Sequence, residues 1–547
     1  MDLIHRTVAK KVETLCFPKR IIKVAGAVET PENLLIEKDV IATFNEPCLT
    51  KFVKTDDAPT YVVLDLGKEI HGSLKIAVCG ASKPTLKVRV TFGESVSEAL
   101  SSVGSKGATN DHSPRDMVVG ACQWSVVEYG QTGYRFVKIE LMETGRLHMK
   151  VAVGVSKMED HPRKGYVKTD DELLNRILET AVYTCQLNMQ DGVIWDGIKR
   201  DRLVWSGDLN TEILTSAYSF GVTDNIKNSL WILKKTTPNG VWMNNIPTYS
   251  AWWVLNLCDY YMLSGDEGYF QENLGYVNEI LRELDACVDG DGKMDFSRTG
   301  RATGMNFFFD WPTYEKPDAV TGTAMLLLYI VNKVEKLGVA EIDGGAIASL
   351  QAKLAKHKFT PVDFKQTLAA QVLCGGGAEN AKSLLEDGGA KGFTTFMSYM
   401  LFCALWQTDS EKTLEIAKEY YGGMLSRGAT TFWEDFDIDW LDGSGRIDEE
   451  PKDGEKDLHG DYGKFCYKGL RHSFCHGWAS GIVAFAVEKL VGLEILETGF
   501  KKVRIKPNLC GLKSLKAKIP TPYGAIVVDC STKGTKVTLP EHIELVK

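Results

Sequence analysis

No stretch of this 547-residue chain approaches the roughly 20 consecutive apolar residues that a membrane-spanning helix needs. The opening Met1-Asp-Leu-Ile-His-Arg-Thr-Val-Ala-Lys-Lys11 also lacks the apolar core of a secretory leader, so a cytoplasmic protein with no membrane partner is expected. Cysteine pairing is missing as well. The thirteen cysteines are odd in number, scattered singly and without a Cys-x-x-Cys, which argues for reduced residues in the core and against a disulfide framework or structural zinc. His472-Ser-Phe-Cys475-His476 has ligand types at helical spacing, but no second cluster accompanies it, and neither a metal nor another cofactor is expected. Positive charge is in deficit, with 64 Lys and Arg against 72 Asp and Glu, which disfavours a nucleic-acid partner and leaves a neutral small molecule as the default ligand. Gly375-Gly-Gly377 has no following Gly-Lys-Ser/Thr, so a phosphate loop is not expected. Gly477-Trp-Ala-Ser-Gly481 puts Ser480 one position late for a nucleophile elbow. Asp289-Gly-Asp-Gly-Lys-Met-Asp295 has Lys293 where a third calcium ligand belongs and reads as a turn.

What is present is a globular composition, 44% hydrophobic and 25% charged, with twelve tryptophans. From about Tyr61 to Ser156 the pattern has period two, clearest in Leu86-Lys-Val-Arg-Val-Thr-Phe92, and short strands with Gly-rich turns imply a β-sandwich. The polar segment from Ser101 to Arg115 reads as a loop within it. Near Tyr166 the period becomes helical, opening on the capping residues Thr169-Asp-Asp-Glu172. About twelve helices are predicted, near residues 172–189, 203–219, 223–234, 250–264, 273–288, 318–337, 343–356, 363–373, 378–386, 393–407, 411–421 and 476–491. Twelve helices suit six hairpins closed into a barrel; an open solenoid is the alternative, although no fixed repeat of 30 to 45 residues supports it. Strands return after Gly499. The fold class expected is therefore a multidomain α and β protein: an N-terminal β-sandwich over 1–165, an (α/α) six-hairpin barrel over 166–492 and a small C-terminal β-domain over 493–547. Between Leu441 and Lys464 a Gly-rich, acidic stretch reads as a long mobile loop, either covering a pocket or solvated.

The densest chemistry lies in Asp196-Gly-Ile-Lys-Arg-Asp-Arg-Leu-Val-Trp-Ser-Gly-Asp208. Steps of four, three and four from Asp201 reach Trp205, Asp208 and Glu212, which would share one face of a helix. An aromatic among acids suits a sugar: the ring stacks on C–H groups while carboxylates bind hydroxyls and move protons. Four further segments share that character: Val241 to Trp253, Phe307-Phe-Phe-Asp-Trp-Pro312, Ala429-Thr-Thr-Phe-Trp-Glu-Asp-Phe-Asp437 and Arg471-His-Ser-Phe-Cys-His-Gly-Trp478. Each alone fits core packing; together they would bury more polar groups than a core without a polar ligand tolerates.

The first segment resembles the motif of inverting α-L-rhamnosidases, Asp-Cys-Pro-x-Arg-(Asp/Glu)-Glu-x-x-Gly-Trp-x-Gly-Asp, with one residue fewer before the tryptophan. Ala429-Thr-Thr-Phe-Trp-Glu434 is similar to that family's Ala-Thr-Thr-x-Trp-Glu, Ser473-Phe-Cys-His-Gly-Trp478 to its Ser-x-x-His-Gly, and Gly499 to Pro507 to its C-terminal strand. The resemblance implies the three-part architecture above and hydrolysis of a terminal α-linked L-rhamnose with inversion. It makes Glu434 the general base. Asp201, where relatives often have the longer Glu, ranks first as acid, with Asp208 and Asp310 behind it, and no carboxylate stands between Thr248 and Trp253 where relatives carry one. Asp196, Arg200, Asp208, Asp310 and His476 would bind substrate, and Trp205, Trp253, Trp311 and Trp433 would wall the C6 methyl. The expected partner is a small rhamnoside or oligosaccharide, and a homodimer is plausible for a compact relative. The alternatives are a hydrolase for another terminal sugar and a non-catalytic sugar-binding relative.

Overall fold

The computed structural model describes residues 9–357, 363–376 and 378–546. Its N-terminal part is a nine-stranded antiparallel sheet network. The spine is the strand Tyr61–Ala81, which pairs with Ser125–Leu141 on one side and, on the other, with Arg20–Ala25 and then Gly145–Glu159. Its register shifts between Asp65 and Ile70, a bulge of the kind that bends a strand. The period-two pattern is obeyed: Leu86, Val88, Val90 and Phe92 of the strand Thr85–Gly93 are buried, while Lys87 is exposed. A short helix, α1 (Val96–Leu100), follows that strand, capped by the Ser95 side chain, and the segment 101–115 is irregular as expected.

Twelve more helices follow among the described residues: α2 (Glu172–Asn188), α3 (Leu209–Phe220), α4 (Asp224–Thr236), α5 (Pro247–Ser264), α6 (Glu267–Ala286), α7 (Pro317–Lys336), α8 (Gly344–Leu354), α9 (Lys365–Leu373), α10 (Ala378–Glu386), α11 (Ser398–Thr408), α12 (Ser410–Ser426) and α13 (Ile482–Phe485), the last running on into a π turn, Ala486–Leu490. The expected cap on the first of them is present, Asp171 accepting from the Leu174 amide at 2.9 Å. Alternate helices touch in the order α3, α5, α7, α9, α11, α13 and back to α3, so the inner ring closes and the solenoid alternative falls. Every residue of α3 is buried, as an inner helix requires, whereas α4 buries one face and shows Lys234 and Lys235 near its end. No helix among the described residues is long and apolar enough to cross a membrane.

The C-terminal part holds the antiparallel strands Ser514–Thr521, Gly524–Ser531 and Gly534–Thr538. The strand Tyr166–Thr169, just ahead of α2, joins this sheet by pairing with Ser514–Thr521. All thirteen cysteines are free.

The acidic stretch 441–464 is not the free loop its composition suggests. It is strapped to the sheet unit: Ile447 accepts from the Val96 amide at 2.9 Å, Asp448 from Arg20 at 3.0 Å, Glu450 from Lys23 at 2.7 Å, Asp457 from Ser97 at 2.9 Å and Asp461 from Lys106 at 2.7 Å. A run of acids reads the same whether water or a basic neighbouring surface takes up the charge, and here basic and hydroxyl groups 350 to 430 residues away in sequence do so.

Candidate active site

The segment 196–208 is a set of tight turns, and α3 starts only at Leu209, so the shared helical face predicted for Asp201, Trp205, Asp208 and Glu212 does not exist. The cause is Asp196. Its carboxylate accepts from the amides of Asp201 (3.0 Å) and Leu203 (2.9 Å), and its own amide donates to the Leu203 carbonyl at 2.9 Å. Such side-chain bonds compete with helix, and they wrap the segment around one buried acid, leaving Arg202 in the left-handed region at φ 63. The segment is then joined to the His476 segment: Gly197 bridges His476, and the Gly477 amide donates to the Asp196 carbonyl at 2.7 Å. Gly477 lets the two segments close up, because a Cβ there would stand 1.8 Å from Glu212 Oε1 and would displace that buried side chain.

One guanidinium ties the proposed acid and base together. Arg200 donates from one amino group to Glu434 and from the other to Asp201 Oδ1 at 2.5 Å. The second oxygen of Glu434 accepts from the Ser473 amide at 3.2 Å. His476 Nε2 lies 3.8 Å from Asp196 Oδ2, 3.9 Å from Asp208 Oδ1 and 3.9 Å from Glu434 Oε1, so four of the residues singled out in the sequence surround one imidazole or one guanidinium. Tyr249 donates to Asp208 Oδ2 at 3.4 Å.

Burial dominates the electrostatics. It pushes the Asp196 carboxyl up to about 7, with the neighbouring Asp201 charge adding to it, and lifts Asp208 well above the carboxylate range with Asp196 adding. Glu434 is also raised by burial, but the Arg200 cation and the bonds from Arg200 and Ser473 oppose this, which favours its ionised form relative to Asp208. Burial and the Arg200 cation hold His476 well below its usual range, so it is neutral. Several buried polar atoms here have no protein partner: Arg200 Nε, Ser206 Oγ, Glu212 Oε1 and His476 Nδ1. Each is a group that a polar ligand or water entering here would satisfy.

Around the acids the aromatics divide. Trp205 is half-buried and edge-on to Tyr249, with centroids 6.1 Å apart; Trp311 is half-buried, stacked on the exposed Phe465 at 5.4 Å and edge-on to Tyr467 at 6.1 Å. Trp253 and Trp433 stand in the core instead. Trp253 faces the outer helices, its indole N–H donating to Leu230 at 3.0 Å and its ring edge-on to Tyr276, while Trp433 stacks on Phe474 at 4.3 Å and meets Phe436 edge-on. Asp310 is buried with both oxygens engaged, by the Trp311 amide (2.8 Å) and the Thr394 hydroxyl (2.6 Å), and burial pushes it to about 7.

The sheet unit also reaches the site, which the sequence did not show. His112, on the 101–115 segment, places Nε2 3.2 Å from Asp201 Oδ1. Behind the motif, Lys199 is buried between Glu94 (2.9 Å) and Glu98 (3.2 Å), and Glu94 accepts from the Phe474 amide at 2.7 Å. Glu94, Glu98 and His459 form a group of metal-ligand types, but the Lys199 ammonium takes the cation's place there. Asp435, next to Glu434, is pushed to about 7 by burial and by the Asp310 charge. No local pattern marks His112, Glu94, Glu98 or Lys199, since their partners lie about 90 to 380 positions away.

Residues 162–339 match the family model for the bacterial α-L-rhamnosidase six-hairpin glycosidase domain, and residues 492–543 match that for the bacterial α-L-rhamnosidase C-terminal domain. No curated protein matches the chain. Among solved structures the fold is shared with a GH78 family rhamnosidase of Bacillus sp. GL1 (TM-score 0.70, 19% identity, covering 94% of this chain and 56% of that one). It is shared too with the rhamnosidase from Klebsiella oxytoca with rhamnose bound (0.66, 18%, 87% and 96%) and with Streptomyces avermitilis α-L-rhamnosidase complexed with L-rhamnose (0.68, 16%, 98% and 50%). The chain thus spans about half the length of the Bacillus and Streptomyces proteins. These matches bear out the resemblance read from the motifs and the three-part fold class. Asp196, Arg200, Asp201 and Asp208 fall inside the matched stretch, whereas Glu434 and His476 lie outside it and rest on geometry.

Proposed function

We propose that the chain is a glycoside hydrolase that releases terminal α-L-rhamnose from small rhamnosides by single displacement with inversion. The observation that carries this reading is the Arg200 guanidinium holding Glu434 and Asp201 at once, beside Asp196, Asp208 and the neutral His476. Inversion requires an ionised carboxylate to take a proton from water on one face of the sugar while an acid protonates the leaving oxygen on the other, the two being roughly 6.5 to 9.5 Å apart. Glu434, with Arg200 opposing its burial, is the base. Asp201, whose side chain keeps 19% of its surface exposed, is the acid. The water oxygen bonds to C1 as the C1–O bond breaks; one water proton passes to Glu434 and the Asp201 proton passes to the departing alcohol. Asp196, Asp208 and His476 bind ring hydroxyls, and Trp205 and Trp311 offer apolar surface to the C6 methyl.

The test is release of p-nitrophenol from p-nitrophenyl α-L-rhamnoside, with the α-L-arabinoside and α-D-mannoside as controls. Wild type should prefer the rhamnoside, its first product should be the β anomer by proton NMR, and Glu434→Gln should lower kcat by about 10²–10⁴-fold. Preference for a control sugar would make this a hydrolase of another class, and an α first product would exclude inversion.

A further inference from the structure

We infer that His112, supplied by the sheet unit, is a positioning residue for the acid: its imidazole, with Nε2 3.2 Å from Asp201 Oδ1, stabilises the carboxylate that Asp201 becomes when it protonates the leaving group. The inference rests on the reading of Asp201 above and adds a residue that no motif of the helical domain contains.

The placement is built from both sides. His112 sits at the apex of a turn at φ 66, closed by the Ser113 amide donating to the Asp111 carbonyl at 2.7 Å. Ser113 Oγ bonds Thr132 at 2.8 Å and donates to the carbonyl of Lys199 at 3.2 Å, two residues before Asp201, so the turn is fastened to the motif it serves. Arg115, buried, holds the C-terminal end through the carbonyls of Phe92 (3.0 Å), Glu98 (3.0 Å) and Ser101 (2.7 Å). On the other end, the Leu470 amide donates to the Lys106 carbonyl at 2.8 Å, and Lys106 Nζ reaches Asp461 at 2.7 Å. A loop tied to the helical domain at three points delivers one imidazole to one carboxylate.

The geometry divides the labour between the two oxygens of Asp201. Oδ1 faces the Arg200 amino group at 2.5 Å and His112 Nε2 at 3.2 Å, and no described residue donates to Oδ2. Oδ2 is thus the oxygen able to carry the transferable proton. When that proton moves to the glycosidic oxygen and the C1–O bond breaks, negative charge develops on Asp201, and the attraction of Arg200 and His112 for Oδ1 grows. Help given to charge that appears only during proton donation matters most when the leaving group needs a proton.

The experiment compares p-nitrophenyl α-L-rhamnoside, whose leaving group departs readily without protonation, with methyl α-L-rhamnoside, whose leaving group does not. Wild type, His112→Ala and His112→Gln are assayed with both on the same preparations, so the ratio of the two kcat values is independent of the folded fraction. His112→Ala should lower kcat on the methyl glycoside by about 10- to 100-fold and on the aryl glycoside by about threefold or less. His112→Gln keeps an N–H near the Nε2 position and should recover most of the methyl-glycoside rate. Equal losses on both substrates, no loss on either, or failure of His112→Gln to rescue would overturn the inference. Wild type inactive on both rhamnosides would overturn the functional reading instead, which keeps the two failures distinct.

Discussion

Asp310 shows how burial and site chemistry compete within one side chain. Burial lifts its carboxyl from the usual carboxylate range to about 7, so the folded chain holds this proton more tightly than the unfolded chain does. A group shifted upward favours the fold fully below the unfolded value, about pH 4, and that contribution drains away as pH rises through about 7. Asp310→Asn removes the charge while keeping an N-terminal cap for the turn Trp311–Thr313 and a polar partner for Thr394. The variant should match wild type near pH 4 and gain on the order of 2–4 kcal/mol at pH 8. Urea unfolding at the two pH values checks this, and a gain of equal size at both would show that the effect is not ionisation. Asp310 was legible as a polar residue among aromatics, but its engagement by Thr394, 84 positions on, was not. The same limit explains Trp253: a tryptophan in an aromatic-rich segment reads alike whether it faces the ring interior or, as here, Leu230 and Tyr276 on the outer helices.

At the scale of elements, outer helices such as α4 were readable because a buried stripe recurs at regular spacing, and the sheet because Leu86 to Phe92 alternate. The motif 196–208 was misread as a helix start because Asp196 satisfies two backbone amides that a helix would have used. That turn-rich element depends on a buried charge triad that sequence spacing could not reveal. Lys199 lies between Glu94 and Glu98, and the Glu94 carboxyl, pushed to about 7 chiefly by burial, also receives the Phe474 amide beside Ser473, whose own amide bonds Glu434. Lys199→Met should therefore destabilise the fold by about 3–5 kcal/mol, since it strands two buried acids rather than removing a weak surface pair. Adding Glu94→Gln to that variant should restore part of the loss. A double-mutant cycle on thermal or urea unfolding reads the coupling, and strictly additive losses would mean that the triad does not act as a unit.

At the scale of the whole molecule, the sheet unit and the helical ring are held by the kind of contact that does not survive separation. Arg135 grips Asp65 through two bonds of 2.7 and 2.9 Å within the sheet unit, donates to the Gly428 carbonyl at 2.9 Å, and stands 3.5 Å from Asp448 of the strap. Nearby, Tyr183 of α2 donates to the Glu69 carbonyl at 2.6 Å and the Glu69 amide to Thr430 at 2.9 Å, next to the segment that carries Glu434. Parting the two units would leave Arg135, Asp448, Glu94, Glu98 and Lys199 short of partners, a cost several times the net worth of an exposed pair. Neither unit should then open alone. In native-state hydrogen exchange followed by mass spectrometry, peptides from the strand Tyr61–Ala81 and from α3 should lose protection with the same free energy of opening. Arg135→Met should lower both values by a similar amount, about 3–5 kcal/mol. If α3 kept its protection while the strand lost it, the sheet unit would be an independently folding attachment, and its delivery of His112 to Asp201 would have to be a weak, reversible docking rather than part of the built site.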